Sequence, residues 1–400
     1  MKCIHYLFKA FLVTLCLPLI VSSAEISTRI VGGQESDIGE FPWAVSLKYS
    51  ETQTHFCGGS LIGKQWVLTA AHCLVDMEPT LITATIGEYY LDSDSDSDSG
   101  PLTIEQFYIH PDFNSTTQDN DIALLKLVSA VDNPSFITPV NLADTIDAVA
   151  SEANVTALGW GSTVAYLPSQ TVTLDYPNIL NYVEMPLMTD TMCSSALGDD
   201  YSAETICAGL EEGGKDSCQG DSGSPLVIEQ GSGWQQIGIA SWGYGCAAPG
   251  YPGVYTRLAL YDGWIESVSN SLYFPDRLEF KDTLVATSSS KTVVIENNST
   301  ENAQLTFTAS GADTFSYDAS DCLYIDRNDN CELLVSYRPF DTNPSQKTIR
   351  ISSNVINSIQ TLSLIGLPLI IGGSGGGLGW LSVLLFPLLF IRHFYKFSSY

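Results

Sequence analysis

The sequence predicts an all-β protein organised as two folded units. Three observations carry this reading. Four hundred residues exceed what one hydrophobic core usually organises. Apolar residues make up 44% and charged residues only 16%, with 32 Gly and 19 Tyr, a balance typical of turn-rich β structure rather than of helix or disorder. Short apolar runs recur between clusters of Gly, Pro, Asn and Asp along most of the chain.

Residues 1–24 place Lys2 and Lys9 ahead of an apolar run over 10–21, closed by Ser22, Ser23 and Ala24. This is the pattern of a cleavable secretory signal, and the run is too short for an ordinary membrane span. Residues 25–29 are a brief polar stretch that ends at Arg29, just before Ile30-Val31-Gly32-Gly33. Residues 30–270 form the first unit, with strand signals such as Ala44-Val45-Ser46-Leu47, Trp66-Val67-Leu68-Thr69 and Ile122-Ala123-Leu124-Leu125 between turns, as in a barrel or sandwich. Only 258–269 reads as helical, with Leu260, Trp264 and Ile265 on one face.

Residues 271–368 form the second unit. Runs such as Thr292-Val293-Val294-Ile295 and Leu333-Leu334-Val335-Ser336-Tyr337 suggest a small β-sandwich. Cys322 and Cys331 flank the turn 326–330 and are expected to close it. Residues 369–400 differ from both units: a glycine-rich stretch over 372–377, an apolar stretch over 378–391, then Arg392, His393 and Lys396. The glycines read as a flexible, protease-accessible linker, and the apolar stretch is marginal for crossing a bilayer unaided.

The charge balance is 45 acidic against 17 basic residues, a net −28. That argues against partners rich in phosphate, whether nucleic acid or anionic lipid, and otherwise signals solubility. Ten cysteines include Cys3 and Cys16 in the signal; Cys57, Cys73, Cys193, Cys207, Cys218, Cys246, Cys322 and Cys331 remain. An even number in an exported chain points to disulfides rather than metal ligation, and no zinc-type pattern competes.

Three separated motifs carry chemistry when taken together: Leu68-Thr69-Ala70-Ala71-His72-Cys73, Asp119-Asn120-Asp121-Ile122-Ala123-Leu124, and Gly220-Asp221-Ser222-Gly223-Ser224-Pro225. A serine hydroxyl is nearly un-ionised at neutral pH, so a nucleophilic Ser222 needs a base, and His72 is the candidate. In this order and spacing the set resembles the chymotrypsin/trypsin-type serine proteases. The resemblance implies a two-barrel fold for 30–270, with Asp121 fixing the His72 tautomer and the backbone N–H groups of Gly220 and Ser222 forming the oxyanion hole. Asp119 reads as a surface carboxylate in a polar turn, and His110, in Ile109-His110-Pro111, as structural.

The same resemblance implies a zymogen. Cleavage after Arg29, by the enzyme itself or by another protease, would free Ile30 to pair with Asp221. It places Asp216 at the base of the primary specificity pocket, beside Ser217, with Ser241, Trp242, Gly243 and Gly253 as its walls, and so implies protein or peptide substrates cut after Arg or Lys. It also pairs Cys57 with Cys73, Cys193 with Cys207, and Cys218 with Cys246, a choice that spacing alone leaves open.

The acidic run of Asp92, Asp94, Asp96 and Asp98 follows Glu88, where some family members hold calcium, and hard oxygen ligands suit that ion. Gly100 lies one place late for an EF-hand and no helices flank the run, so it reads as a solvated acidic loop, with a structural calcium ion as the alternative. No other metal or cofactor is expected.

The segment from Cys331 to Pro339 and Leu364-Ile365-Gly366 make 271–368 resemble immunoglobulin-like modules, a spacer or substrate-presenting unit. The tail resembles the Gly-Gly C-terminal sorting signals of Gram-negative exported proteases. That implies type II export machinery, a rhomboid-type membrane protease that cuts the tail, and a product that is secreted or held at the cell surface, transiently anchored by its tail. The basic end at Arg392 and Lys396 argues against a eukaryotic lipid-anchor signal. Sequons at Asn114, Asn154 and Asn298 matter only in a eukaryotic secretory pathway.

Overall fold

The structure, a computed structural model, describes residues 30–91, 100–131, 137–143, 153–231, 233–356 and 359–369. The signal, Arg29, the acidic run at 92–98 and the sorting tail lie outside the described residues.

The first sheet is a closed six-stranded barrel. Its strands are Ala44–Tyr49, His55–Gly63, Trp66–Thr69, Ile82–Ile86, Leu102–Ile109 and Ala123–Leu127. All pairings are antiparallel, and the barrel closes where Ala44–Tyr49 meets Ile82–Ile86. Leu47, Leu61, Val67, Leu68, Ile86, Leu124 and Leu125 fill it and are almost wholly buried. Such closure leaves no open edge to protect.

The second sheet has eight strands and forms a half-barrel, its path not closing. Its central strands are Asn154–Gly159, Pro225–Gln230, Gly233–Trp242 and Gly253–Arg257, and Ile30, Val155, Val183, Leu226 and Tyr255 form its core. The two sheets together bear out the expected all-β, two-barrel arrangement.

The helical reading needs two corrections. Residues 258–269 split into a short turn of 3-10 helix, Leu258–Leu260, and the α-helix Asp262–Ser269, because Tyr261 leaves helical dihedrals at φ −114°, ψ 6°. Leu260 faces solvent, and Ile265 and Val268 make the buried face instead. A second helix, Asp190–Leu197, carries no apolar periodicity strong enough to announce it. It is held by the cap from Thr189 to the Met192 amide and by the buried Cys193 and Leu197.

A further β unit follows. The four-stranded sheet containing Ser289–Asn297 and Asp329–Tyr337 lies against the five-stranded sheet containing Arg277–Thr283, Gln360–Pro368 and Ser345–Ser353. Their inner faces share one core of Phe280, Val293, Ile295, Leu333, Val335, Tyr337, Ile349, Ile351 and Leu364. Gly366 has no room for a Cβ, which would overlap the Tyr337 ring. All four expected disulfides form: Cys57–Cys73, Cys193–Cys207, Cys218–Cys246 and Cys322–Cys331.

This unit is joined to the barrel by side chains as well as by the chain. The Tyr108 hydroxyl donates to Glu296 at 2.5 Å, and the Tyr108 and Tyr273 rings meet edge to face. Asn298 donates to the Val268 carbonyl at 2.7 Å and accepts from Lys126 at 3.3 Å. Asn114 and Asn154 are exposed, whereas Asn298, the third sequon asparagine, is buried in this junction. Asn298→Ala is expected to destabilise the protein by about 1–3 kcal/mol, chiefly through the Val268 carbonyl left without its Asn298 donor, Lys126 keeping its Glu105 partner. Denaturant unfolding checks this, and a loss below about 0.5 kcal/mol, the usual range for an uninvolved surface position, would show that the junction does not depend on Asn298.

Candidate active site

Asp121 is fully buried at the seam between the two sheets. Its Oδ1 accepts the backbone N–H of His72 at 2.9 Å, and its Oδ2 accepts His72 Nδ1 at 2.7 Å. From the second sheet, the Ser241 hydroxyl donates to Oδ2, and Thr256 donates to the Asp121 carbonyl at 2.8 Å. Ser241, grouped by sequence with the pocket walls, therefore turns its side chain to Asp121.

Burial pushes the Asp121 carboxyl upward, but the charge and hydrogen bonds of His72 and the Ser241 bond outweigh it, and the group is held below the usual carboxylate range. Burial likewise pulls His72 down, and the Asp121 charge and hydrogen bond overcome it and hold the imidazole above 6.5. With Nδ1 committed to Asp121, Nε2 is the nitrogen left to exchange a proton.

Ser222 sits in a tight turn in which the Asp221 amide donates to the Cys218 carbonyl and the Ser224 amide to the Asp221 carbonyl. The Ser222 carbonyl accepts Gly58 N–H at 2.7 Å. Gly223, at φ +79°, packs so closely that a Cβ would overlap Thr69 Oγ1 and come near Ala70. The turn is thus locked against the strand that delivers His72, and the Cys57–Cys73 bridge ties the same pieces together. Among the described residues, neither the Gly220 nor the Ser222 N–H is used in a backbone hydrogen bond.

Gly220 takes φ +96°, a left-handed conformation that glycine alone adopts cheaply. Its carbonyl lies 2.9 Å from Nε2 of His55, whose Nδ1 lies 2.9 Å from the Ser46 hydroxyl. Burial lowers the His55 pKa to about 4, so the ring is neutral and Nε2–H can donate to Gly220 while Nδ1 accepts from Ser46. Sequence reading missed this pair. The available signal was Ser46, a polar residue inside the apolar run 44–47.

Asp216 is buried: its Oδ2 accepts Ala247 N–H at 2.9 Å, while its Oδ1 has no hydrogen-bond partner among the described residues. Burial raises its pKa to about 7. A Cβ at Gly253 would overlap Asp216 Oδ1, so Gly253 makes room for this carboxylate. Ser217 is fixed beside it through Tyr255 at 2.9 Å. Gly243 faces open space, its nearest obstacle to a Cβ being 3.7 Å away, and Trp242 begins an aromatic series with Tyr244 and Tyr251.

Asp221 is fully buried and accepts the amides of Gly161 and Cys218, each at 2.8 Å. Burial outweighs these bonds and raises it to about 7. Ile30 is fully buried in the second core. His110 packs against Tyr261 and Trp264, as a structural residue would. Asp119 stays in its own turn, bonded to Thr117.

Of the residues expected for a structural calcium ion, only Glu88 is described, and Asp92, Asp94, Asp96 and Asp98 lie outside the described residues. The buried Glu88 carboxylate takes the Lys48 ammonium at 2.6 Å, and Lys48 also donates to the Leu91 carbonyl at 2.9 Å. A divalent ion there would face a like charge. Cys57, His72 and Cys73 also converge, but both sulfurs are used in their disulfide.

The fold and this constellation define a serine endopeptidase of the trypsin family. The sequence matches the family described as Trypsin over residues 30–265, and the chain belongs to that family. It is 40% identical over 261 residues to Trypsin II-P29 of Gallus gallus, covering 64% of this chain and 96% of that protein. The fold resembles that of the secreted serine protease VesC from Vibrio cholerae, with a TM-score of 0.61 at 21% identity, over 84% of this chain and 71% of VesC.

Lys48→Met is expected to cost about 3–5 kcal/mol, because Glu88 would stay buried without its counter-charge. The double replacement Lys48→Met with Glu88→Leu should recover most of that loss. Urea unfolding of the three proteins checks this; equal losses in the single and double variants would contradict it.

Proposed function

We propose that the chain is a secreted zymogen whose protease, once cut after Arg29, hydrolyses peptide bonds that follow Arg or Lys. Ser222 attacks the carbonyl while His72 takes its proton through Nε2. Asp121 holds the ring and stabilises the imidazolium that forms. The N–H groups of Gly220 and Ser222 receive the developing oxyanion, each contributing on the order of 3 kcal/mol. His72 then returns the proton to the leaving amine, and water cleaves the acyl-enzyme by the same route.

The observation that carries the specificity reading is the buried Asp216 oxygen that has no partner among the described residues and lies where a side chain at 253 would overlap it. A guanidinium or ammonium brought by substrate supplies both the hydrogen bonds and the counter-charge that this carboxylate lacks. The chain's own composition supports the reading. Between 30 and 270 it has only Lys48, Lys64, Lys126, Lys215 and Arg257 as basic residues. Of these only Lys64 is exposed, and its carbonyl accepts Val131 N–H at 2.7 Å, which ties the bond down. An enzyme of this specificity thus has little to cut in its own protease unit.

Zymogen activation is supported by the state of Asp221. A carboxylate raised to about 7 by burial, with the Gly161 and Cys218 amides as its donors among the described residues, is poorly compensated, and a freed Ile30 ammonium is the cation this reading brings to it. Tail-directed surface attachment, type II export and a tail-cutting membrane protease rest on the sequence pattern of 369–400 alone.

Hydrolysis of a chromogenic Arg substrate by the processed protein tests this function. Ser222→Ala is expected to abolish it. Asp216→Ser should lower kcat/KM by about 30-fold to about 4,000-fold, equivalent to about 2–5 kcal/mol, without loss of fold; retained Arg turnover would overturn the pocket assignment. Arg29→Gln should yield a folded, inactive precursor. The acid limb of kcat/KM should lie above pH 6.5, with activity lost as pH falls through the raised His72 pKa, and Asp121→Asn should move that limb down.

A further inference from the structure

The β unit over 271–369 has two dissimilar ends. At one end, residues 271–273, Glu296 and Asn298 dock onto the protease, and Gln360 donates to the Leu272 carbonyl. Strands Arg277–Thr283, Ser289–Asn297, Asp329–Tyr337 and Gln360–Pro368 all run between that end and the other. Nine residues of extended strand such as Ser289–Asn297 span about 30 Å.

The far end is apolar and exposed. Leu284 and Val285 are 40% and 38% exposed, Phe340 66%, and Leu367 and Leu369 each 37%. Their segments converge at this end, since Ala286 N–H donates to the Pro339 carbonyl at 2.9 Å and Leu369 N–H to the Thr283 carbonyl at 2.9 Å. Two non-glycine residues, Asp282 and Ala286, take positive φ on either side of Leu284 and Val285. For alanine this costs about 1 kcal/mol, so local strain is spent on presenting two apolar side chains to the outside. Gathered exposed apolar side chains of this kind mark a contact surface.

The described chain ends at this patch, at Leu369, and the sequence beyond it is the glycine-rich stretch followed by the apolar 378–391. The charges around the patch are mixed, Lys281 and Arg338 against Asp282 and Asp341, so no electrostatic pull toward an anionic surface is built in. We propose that this tip seats on the surface of a lipid bilayer, beside the point where the tail enters it, and that the β unit holds the protease about 30 Å above the lipid. This rests on the reading of the tail as a membrane anchor. The partner is a neutral lipid surface, entered by apolar side chains at headgroup depth.

The test uses the full chain with Phe340→Cys carrying an environment-sensitive fluorophore, and Val294→Cys on the exposed sheet face as control. In phosphatidylcholine vesicles, the Phe340 probe should shift to the blue and be quenched by doxyl-labelled acyl chains, while the Val294 probe stays water-like. Replacing Leu284, Val285 and Phe340 by Ser should weaken vesicle partition at least tenfold and leave Arg-substrate hydrolysis in buffer unchanged. Flotation with the Phe340 probe still in water would overturn the tip proposal while keeping the anchor. Failure to float would overturn both. A blue-shifted probe in buffer at all dilutions would assign the tip to the chain's own tail, and one that appears only at high concentration would assign it to a second copy; either overturns a lipid partner.

Discussion

A carboxylate stripped of water has to be surrounded by donors, and the placement of the two sheets follows from meeting that demand at Asp121. Taking such a charge into the interior costs several kcal/mol unless each lone pair is satisfied. Here His72 contributes its amide and Nδ1 from the closed barrel, while Ser241 contributes its hydroxyl from the half-barrel and Thr256 anchors the backbone. Any shift of one sheet against the other breaks part of that set. The seam is therefore fixed to within a hydrogen bond, and the imidazole is set in one tautomer before substrate arrives.

Around that seam the protein places further carboxylates whose burial is not fully compensated. Asp221 has two backbone amides and Asp216 one, and burial raises both to about 7. Lys48 and Glu88 show the opposite case, a buried charge given its counter-charge within the chain. The contrast is physical rather than decorative. Paired charges are stabilised as they stand, while the under-satisfied ones are those that the proposed substrate cation and the proposed new chain end would meet.

Much of this was legible in the sequence because the decisive signals are local. His72, Asp121 and Ser222 each sit in a distinctive run of residues, and period-two apolar runs announced the strands. What stayed hidden depends on long-range contact. Ser241 meets Asp121 across 120 positions, His55 meets Gly220 across 165, and Lys48 meets Glu88 across 40. No window of sequence contains such pairs. The helix Asp190–Leu197 was missed because a disulfide and a cap hold it rather than an apolar stripe, and Leu260 was misplaced because Tyr261 breaks the helix behind it. Asn298 shows a motif put to other use: its sequon is legible, but the fold buries the asparagine between two units.

The central claim is that a His72 locked by Asp121 activates Ser222. Timed labelling of the processed protein by a phosphonofluoridate, with the adduct located by mass spectrometry at a series of pH values, tests it most directly. A single adduct on Ser222, formed at a rate that rises through the His72 titration and is lost in His72→Ala, is the expected result. Labelling of Ser222 that proceeds at the same rate without the imidazole would contradict the account.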